Sequence, residues 1–309
     1  MTNHDSLKIG VVGAGVFGNY HVGKCAAHPR HDLIGVFDPD HKRVREVAKA
    51  HGTRAFDNYN TLLSGVDAVI VACPAKHHGP VAIAALRAGR HVLVEKPIAA
   101  ELESATTMVR LAKENNLVLQ VGHQERFVAR AIGLDSVPEK PLSITATRFG
   151  PMSERGTDVS VTLDLMTHDL DMAMWLMGGR PESIRGESMR VYSQTPDAAH
   201  ACMVFDGACK VKFEASRCEE SRERVMEITY PSGTVRIDFV NKTFEDSTGF
   251  GLNKDFASHP LAMDSLGAAT SAFTSSILDG TPIAVPGEAG RDALEMALKI
   301  DGRLRDEIT

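Results

Sequence analysis

The segment Lys8 to Gly18, Lys-Ile-Gly-Val-Val-Gly-Ala-Gly-Val-Phe-Gly, constrains this chain more than any other. Ile9 to Val12 is a short apolar run of the kind that a strand buried on both faces shows, and Gly13, Gly15 and Gly18 follow at G-x-G-x-x-G spacing. Such a run enters a helix through a tight turn. Gly13 permits the turn, Gly15 lets backbone approach a pyrophosphate, and Gly18 lets the new helix pack closely on the strand. The first helical residues, Val16 and Phe17, then turn their amides toward the anion. A second apolar run, Leu33 to Phe37, ends in Asp38, 20 residues after Gly18, where an acid accepts ribose hydroxyls and repels a 2'-phosphate. NAD is therefore predicted as the cofactor in preference to NADP. Lys42 and Arg43 follow closely and can offset part of that charge.

From Lys8 to Val121 apolar runs alternate with helical patterns: Asp67 to Ala72 before Pro80 to Ala88, His91 to Val94 before Leu102 to Glu114, then Val118 to Val121. This is the signature of a parallel sheet with helices on both faces. After Gly122 the pattern changes. A long helix is predicted from Thr162 to Met177, followed by strands at Ala201 to Phe205, Lys210 to Ala215, Val225 to Tyr230 and Thr234 to Val240 on short turns. These predict a mostly antiparallel sheet with helices on one face, closed by helices near Leu261 to Asp279 and Glu288 to Arg305. Asn241 to His259 has the polarity of a long loop. The 309 residues suit two domains, divided as 1–122 and 123–309.

Two further segments carry chemistry. Glu95-Lys96-Pro97 follows the strand His91 to Val94, at the carboxyl end where open parallel sheets bind ligands; Lys96 there can donate to a substrate hydroxyl or form a surface ion pair. Asp164, His168 and Asp171 fall at i, i+4 and i+7 of one helix, so a carboxylate and an imidazole share a stripe. An imidazole beside a carboxylate can accept the proton of an alcohol whose hydride departs; a solvated helix face is the plainer alternative. Metal binding is disfavoured, because no H-E-x-x-H or comparable set supplies the other ligands. Cys73-Pro74-Ala75-Lys76-His77-His78 also follows a buried strand, so its backbone borders the reactive end of the cofactor.

Together the glycines, the Pro74 to His78 turn, Glu95-Lys96-Pro97 and Asp164-x-x-x-His168 resemble the glucose-fructose oxidoreductase, inositol dehydrogenase and rhizopine-catabolism (Gfo/Idh/MocA) family of sugar dehydrogenases. The resemblance spans nearly the whole chain. It implies a Rossmann domain followed by an α+β domain for substrate and oligomerisation, bound NAD(P), and Lys96 and His168 at the reacting hydroxyl with Asp164 beside them. It also implies cofactor contacts at Pro74, His78, Glu95 and Lys96. The segments Gly122-His-Gln-Glu-Arg126-Phe127 and Arg148 to Asp171 are similar to the branch that oxidises the 3-hydroxyl of UDP-N-acetylglucosamine. In this branch Arg126, Arg148 and Arg155 are candidates to pair with a diphosphate. The family's glycine-rich lead-in to the helix is replaced by Asp158-Val-Ser-Val-Thr-Leu, and the Asn-Pro that commonly follows Arg-Phe is Val128-Ala129.

Composition narrows the alternatives. A net charge of −6 with no basic block disfavours nucleic acid as a partner. No apolar run reaches membrane-spanning length, and the start lacks the regions of a secretory signal, so a cytoplasmic enzyme is expected. Five cysteines without a C-x-x-C pair suit reduced thiols. The uncovered face of the second sheet leads to the expectation of a homo-oligomer. Besides the UDP-sugar reading, a free sugar or cyclitol dehydrogenase, an NAD-dependent glycosidase and a non-catalytic NAD-binding regulator are open on sequence; the presence of both Lys96 and His168 argues against the last.

Overall fold

A computed structural model of the chain describes residues 6–152, 159–206 and 209–304. It divides into two compact units, Met1–Gln124 with Asp264–Arg291, and Glu125–Met263 with Asp292–Thr309.

In the first unit strands and helices alternate as the apolar runs predict: β1 (Leu7–Val12), α1 (Val16–Ala27), β2 (His31–Phe37), α2 (His41–Ala50), β3 (Ala55–Phe56), α3 (Tyr59–Ser64), β4 (Ala68–Val71), α4 (His78–Arg87), β5 (His91–Val94), α5 (Leu102–Glu114) and β6 (Leu119–Val121). Every strand pair is parallel, in the order β3-β2-β1-β4-β5-β6. The runs are apolar because helices cover both faces; Ile9, Val11, Ile70 and Leu93 are all buried in the core. Strand order reverses between β1 and β4. The loops leaving their carboxyl ends, residues 13–15 and 72–74, therefore border the crevice where such sheets bind ligands.

The second unit contains α6 (Glu125–Ile132), β7 (Ser143–Phe149), α7 (Thr167–Met177), β8 (Ser183–Met189), β9 (Ala198–Phe205), β10 (Cys209–Ser216), β11 (Glu223–Tyr230), β12 (Gly233–Asp238), β13 (Thr243–Asp246) and α8 (Pro260–Met263). Its sheet runs β13-β12-β11-β7-β10-β9-β8. All pairs are antiparallel except β7 with β10, so the expected antiparallel sheet is mixed at one seam. One face buries Ile144, Val211, Phe213, Met226, Ile228 and Ile237, while Lys212, Glu214, Glu227 and Arg236 are exposed on the other. The predicted loop Asn241 to His259 contains β13 and a fully buried Phe256, whose ring packs 5.8 Å from Phe244.

Two further helices follow, α9 (Ser265–Leu278) and α10 (Gly287–Ile300). The predicted helix Leu261 to Asp279 is broken at Asp264, which accepts the Gly267 N–H at 3.0 Å and caps α9. α9 belongs with the parallel sheet, not with the unit that precedes it in sequence. Phe273 joins the core of β1 and β5, Lys24 and Arg30 pair with Asp264 and Asp279, and Gln120 donates to Ala269 O at 2.8 Å. The division at 122/123 thus differs from the observed one chiefly by this returning segment, whose helical pattern does not say which sheet it covers. No helix among the described residues is long and apolar enough to cross a membrane.

Candidate active site

β1 delivers Gly13 at φ 105°, a backbone that side chains rarely adopt, and its N–H donates to Phe37 O at 2.8 Å. A Cβ on Gly13 would lie 2.5 Å from Ala72 O, and one on Gly18 would collide with the Gly13 carbonyl. Gly15 is different: nothing stands within 4 Å of a Cβ placed there. Gly15 is also the N-cap of α1, offers no capping oxygen, and is followed by no acid in the first turn. The amides at this helix start therefore have an open approach and the positive end of the helix behind them. Val16 and Phe17 are exposed at the same place. A dinucleotide pyrophosphate fits this cradle.

Asp38 is tied to the cradle. Its Oδ2 accepts Ala14 N–H at 2.7 Å, and its Oδ1 accepts Asp40 N–H and Arg43 Nη2, each at 2.9 Å. The offsetting cation foreseen near Asp38 is therefore Arg43, which keeps about half of its side chain in water.

Lys96 stands at the carboxyl end of β5, partly exposed, and its peptide bond to Pro97 is cis. Glu95 points inward and accepts from His21 Nε2 at 2.7 Å, both side chains being buried. Burial works against the charge of Glu95, but the His21 hydrogen bond, with Lys96 and His78 nearby, holds its carboxyl below the usual range. Gly122 leaves room for this carboxylate, since a Cβ there would lie 2.9 Å from Glu95 Oε2. His78 is buried, with Nδ1 2.7 Å from Pro97 O and Nε2 2.8 Å from Cys73 O. Burial pushes this imidazole toward its neutral form against the pull of both carbonyls. His78 thus braces the two loops that carry Pro74 and Lys96, and its ring nitrogens face protein, not the crevice. Pro74 opens the short 3-10 turn that leads into α4.

In the second unit the predicted helix Thr162 to Met177 begins with a π-helical turn, Thr162–Met166, before α7. Asp301 anchors that turn by accepting from Ser160 Oγ at 2.5 Å and Thr162 Oγ1 at 2.6 Å. Asp164 lies within the turn and is partly exposed. A carboxylate that the structure places at His168 is Glu125, whose Oε2 lies 2.5 Å from His168 Nδ1. Burial raises the cost of the Glu125 charge, yet His168 and Arg148 outweigh it and hold its carboxyl well below the usual range. Sequence reasoning did not single out Glu125, although it lies inside the segment Gly122 to Phe127, because 43 residues separate it from His168.

Two of the three arginines considered for a diphosphate are already engaged, which corrects that expectation. Arg126 Nε and Nη2 grip Asp171 at 2.7 and 2.6 Å, and its guanidinium lies 5.6 Å from the Trp175 ring centre. Arg148 Nε and Nη2 grip Asp169 at 2.9 and 2.8 Å, while Nη1 donates to Glu125 Oε1 at 3.1 Å. Both side chains are buried, and Asp171 faces the core, not the stripe it was expected to share with His168. Arg155 lies outside the described residues, as does Asp158.

A dinucleotide cradle beside the end of β1, in a chain that also supplies a carboxylate-bound imidazole, is the equipment of a nicotinamide-dependent oxidoreductase. Comparison with known proteins gives the family. Residues 7–123 match the oxidoreductase family with an NAD-binding Rossmann fold, and residues 144–236 match the GFO/IDH/MocA C-terminal domain. The chain is 32% identical to a UDP-N-acetylglucosamine 3-dehydrogenase from Acidithiobacillus ferrooxidans over 306 residues, covering 95% of this chain and 96% of the relative. A solved structure of that enzyme superposes with a TM-score of 0.88, covering 97% of this chain and 98% of its own. A myo-inositol 2-dehydrogenase from Thermotoga maritima is 27% identical over 316 residues, covering 93% of each. The WlbA dehydrogenase from Bordetella pertussis, solved with NADH and UDP-GlcNAcA, shares the fold at a TM-score of 0.84 and 20% identity, over 98% of this chain and 96% of its own. The chain belongs to the Gfo/Idh/MocA oxidoreductase family and is an NAD-dependent dehydrogenase.

Proposed function

We propose that the protein oxidises the 3-hydroxyl of UDP-N-acetylglucosamine, or of a closely related UDP-sugar, to the ketone. The observation that carries this reading is the 32% identity to a UDP-N-acetylglucosamine 3-dehydrogenase over nearly the full length of both chains. NAD, when bound, supplies the acceptor for the hydride that leaves the carbinol carbon. Residues 13–18 hold its pyrophosphate on backbone amides, and Asp38 accepts its ribose hydroxyls. His168 takes the hydroxyl proton on Nε2, the nitrogen opposite the Glu125 contact. Lys96 donates a hydrogen bond to the substrate oxygen and stabilises the charge that develops there. Arg155 is the arginine kept for the diphosphate.

A second reading, oxidation of a free cyclitol, is favoured by one observation: Arg126 and Arg148 are bound to buried carboxylates and are not available to a diphosphate. A screen of NADH absorbance separates the two. The proposal expects turnover with UDP-N-acetylglucosamine and little with free sugars or inositols; turnover of inositol alone replaces it with the second reading.

A further inference from the structure

The contact between Glu125 and His168 does more than bring an acid near a base. Glu125 has both oxygens in contact: Oε2 lies 2.5 Å from His168 Nδ1 as an ion pair, and Oε1 accepts from Arg148 Nη1 at 3.1 Å. Arg148 is fixed in turn by the two-toothed grip of Asp169, the residue after His168 on α7. The four side chains form a closed loop that starts and ends on one helix, with α6 and β7 supplying the other two members. Arg224 on β11, opposite Arg148 in the strand register, adds a second positive charge to Glu125 and Asp169. Asp164 lies on the turn preceding His168. The two acids of the loop are thus matched by two arginines, and the group adjoining the imidazole is a carboxylate that His168 and Arg148 keep ionised against the cost of its burial.

An ionised carboxylate only accepts, so the nitrogen facing it carries the hydrogen. A neutral imidazole has one N–H. We propose that Glu125 is a positioning residue for His168, holding the hydrogen on Nδ1 so that Nε2 keeps the lone pair that takes the proton of the substrate hydroxyl. This rests on the reading of His168 as the base. Arg148 and Asp169 act one step further out by fixing the carboxylate. The same negative charge favours the imidazolium formed during turnover, so its loss lets His168 give up its proton at lower pH.

The test uses the full chain with 15N-labelled histidine, His168 being assigned by its loss in His168→Gln. The substrate-free wild type should show the hydrogen on Nδ1 and a bare Nε2 above the titration midpoint. In Glu125→Gln that midpoint should move down by about one pH unit, a roughly tenfold loss of proton affinity. The acid limb of kcat should move with it, and kcat should fall about tenfold or more with KM for NAD within about threefold, while Glu125→Asp recovers part of both. A wild-type hydrogen on Nε2 overturns the proposal, and this reading stands even where Glu125→Gln fails to fold. An unchanged midpoint in folded Glu125→Gln overturns it too. The NMR readout needs no substrate, so absence of turnover on every sugar would sink the functional reading without deciding this one.

Discussion

Arg126 and Arg148 carry full charges where an unpaired charge is costly, and each meets a buried carboxylate through two hydrogen bonds. Removing one partner strands the other. Arg148→Ala should therefore lower unfolding stability by about 3–5 kcal/mol, read from urea denaturation, because Asp169 and Glu125 lose their common cation. An unchanged midpoint would show that the pairs are not as buried as described. Arg155→Ala should lower kcat/KM for a UDP-sugar by on the order of tenfold, the worth of one charge-assisted contact. Lys96→Met and His168→Gln should each remove most turnover with NAD affinity within a few fold, as direct titration would show; a variant keeping half of wild-type turnover excludes its residue from proton transfer. The residue types of the site were legible in sequence, but the pairing was not. Asp169 and Asp171 were in view beside His168, yet nothing in a sequence says that they turn inward to Arg148 and Arg126, so these arginines read as substrate cations.

At the scale of elements, the β1 to α1 junction is a steric argument that a single methyl group can test. Gly18→Ala would push a Cβ into the Gly13 carbonyl and displace the helix start. NAD affinity measured by calorimetry should fall by tenfold or more, whereas Gly15→Ala, with open space at its Cβ, should leave the fold intact and weaken only the bound state. Equal stability and affinity in Gly18→Ala would contradict the close packing. The parallel sheet was legible because its strands are apolar throughout, a pattern set by coverage on both faces. β7 was not, because Arg148 occupies an inward position in Ser143–Phe149 and breaks the alternation. β8 is an edge strand with most of its residues exposed, so no apolar stripe marks it. The π turn escaped as well, since a five-residue widening leaves the heptad-like spacing of the apolar residues intact.

For the whole molecule, the returning segment 264–291 is tied to α1 and β2, and one of those ties titrates. His31 Nε2 shares a hydrogen bond with Thr274 at 2.7 Å, and its ring stacks on His28 at 4.0 Å. Burial and then the neighbouring His28 push His31 from 6.5 down to about 4. The folded state keeps this imidazole neutral while the unfolded chain binds a proton, so stability should fall as pH drops from about 6.5 to about 4. Thermal melts across that window should show a shallower slope in His31→Gln than in the wild type; equal slopes would remove His31 from the account. The polar outer face of the second sheet is our proposed seat for a second copy, and light scattering at micromolar concentration should find a multiple of the single-chain mass. A single-chain species alone would exclude it. Hydride transfer from C3 is read directly with UDP-N-acetylglucosamine deuterated at C3 and mass spectrometry of the reduced cofactor. Oxidation at C3 places the deuterium in NADH and yields a 3-keto sugar nucleotide; unlabelled NADH, or no NADH from this substrate, would contradict the proposed function.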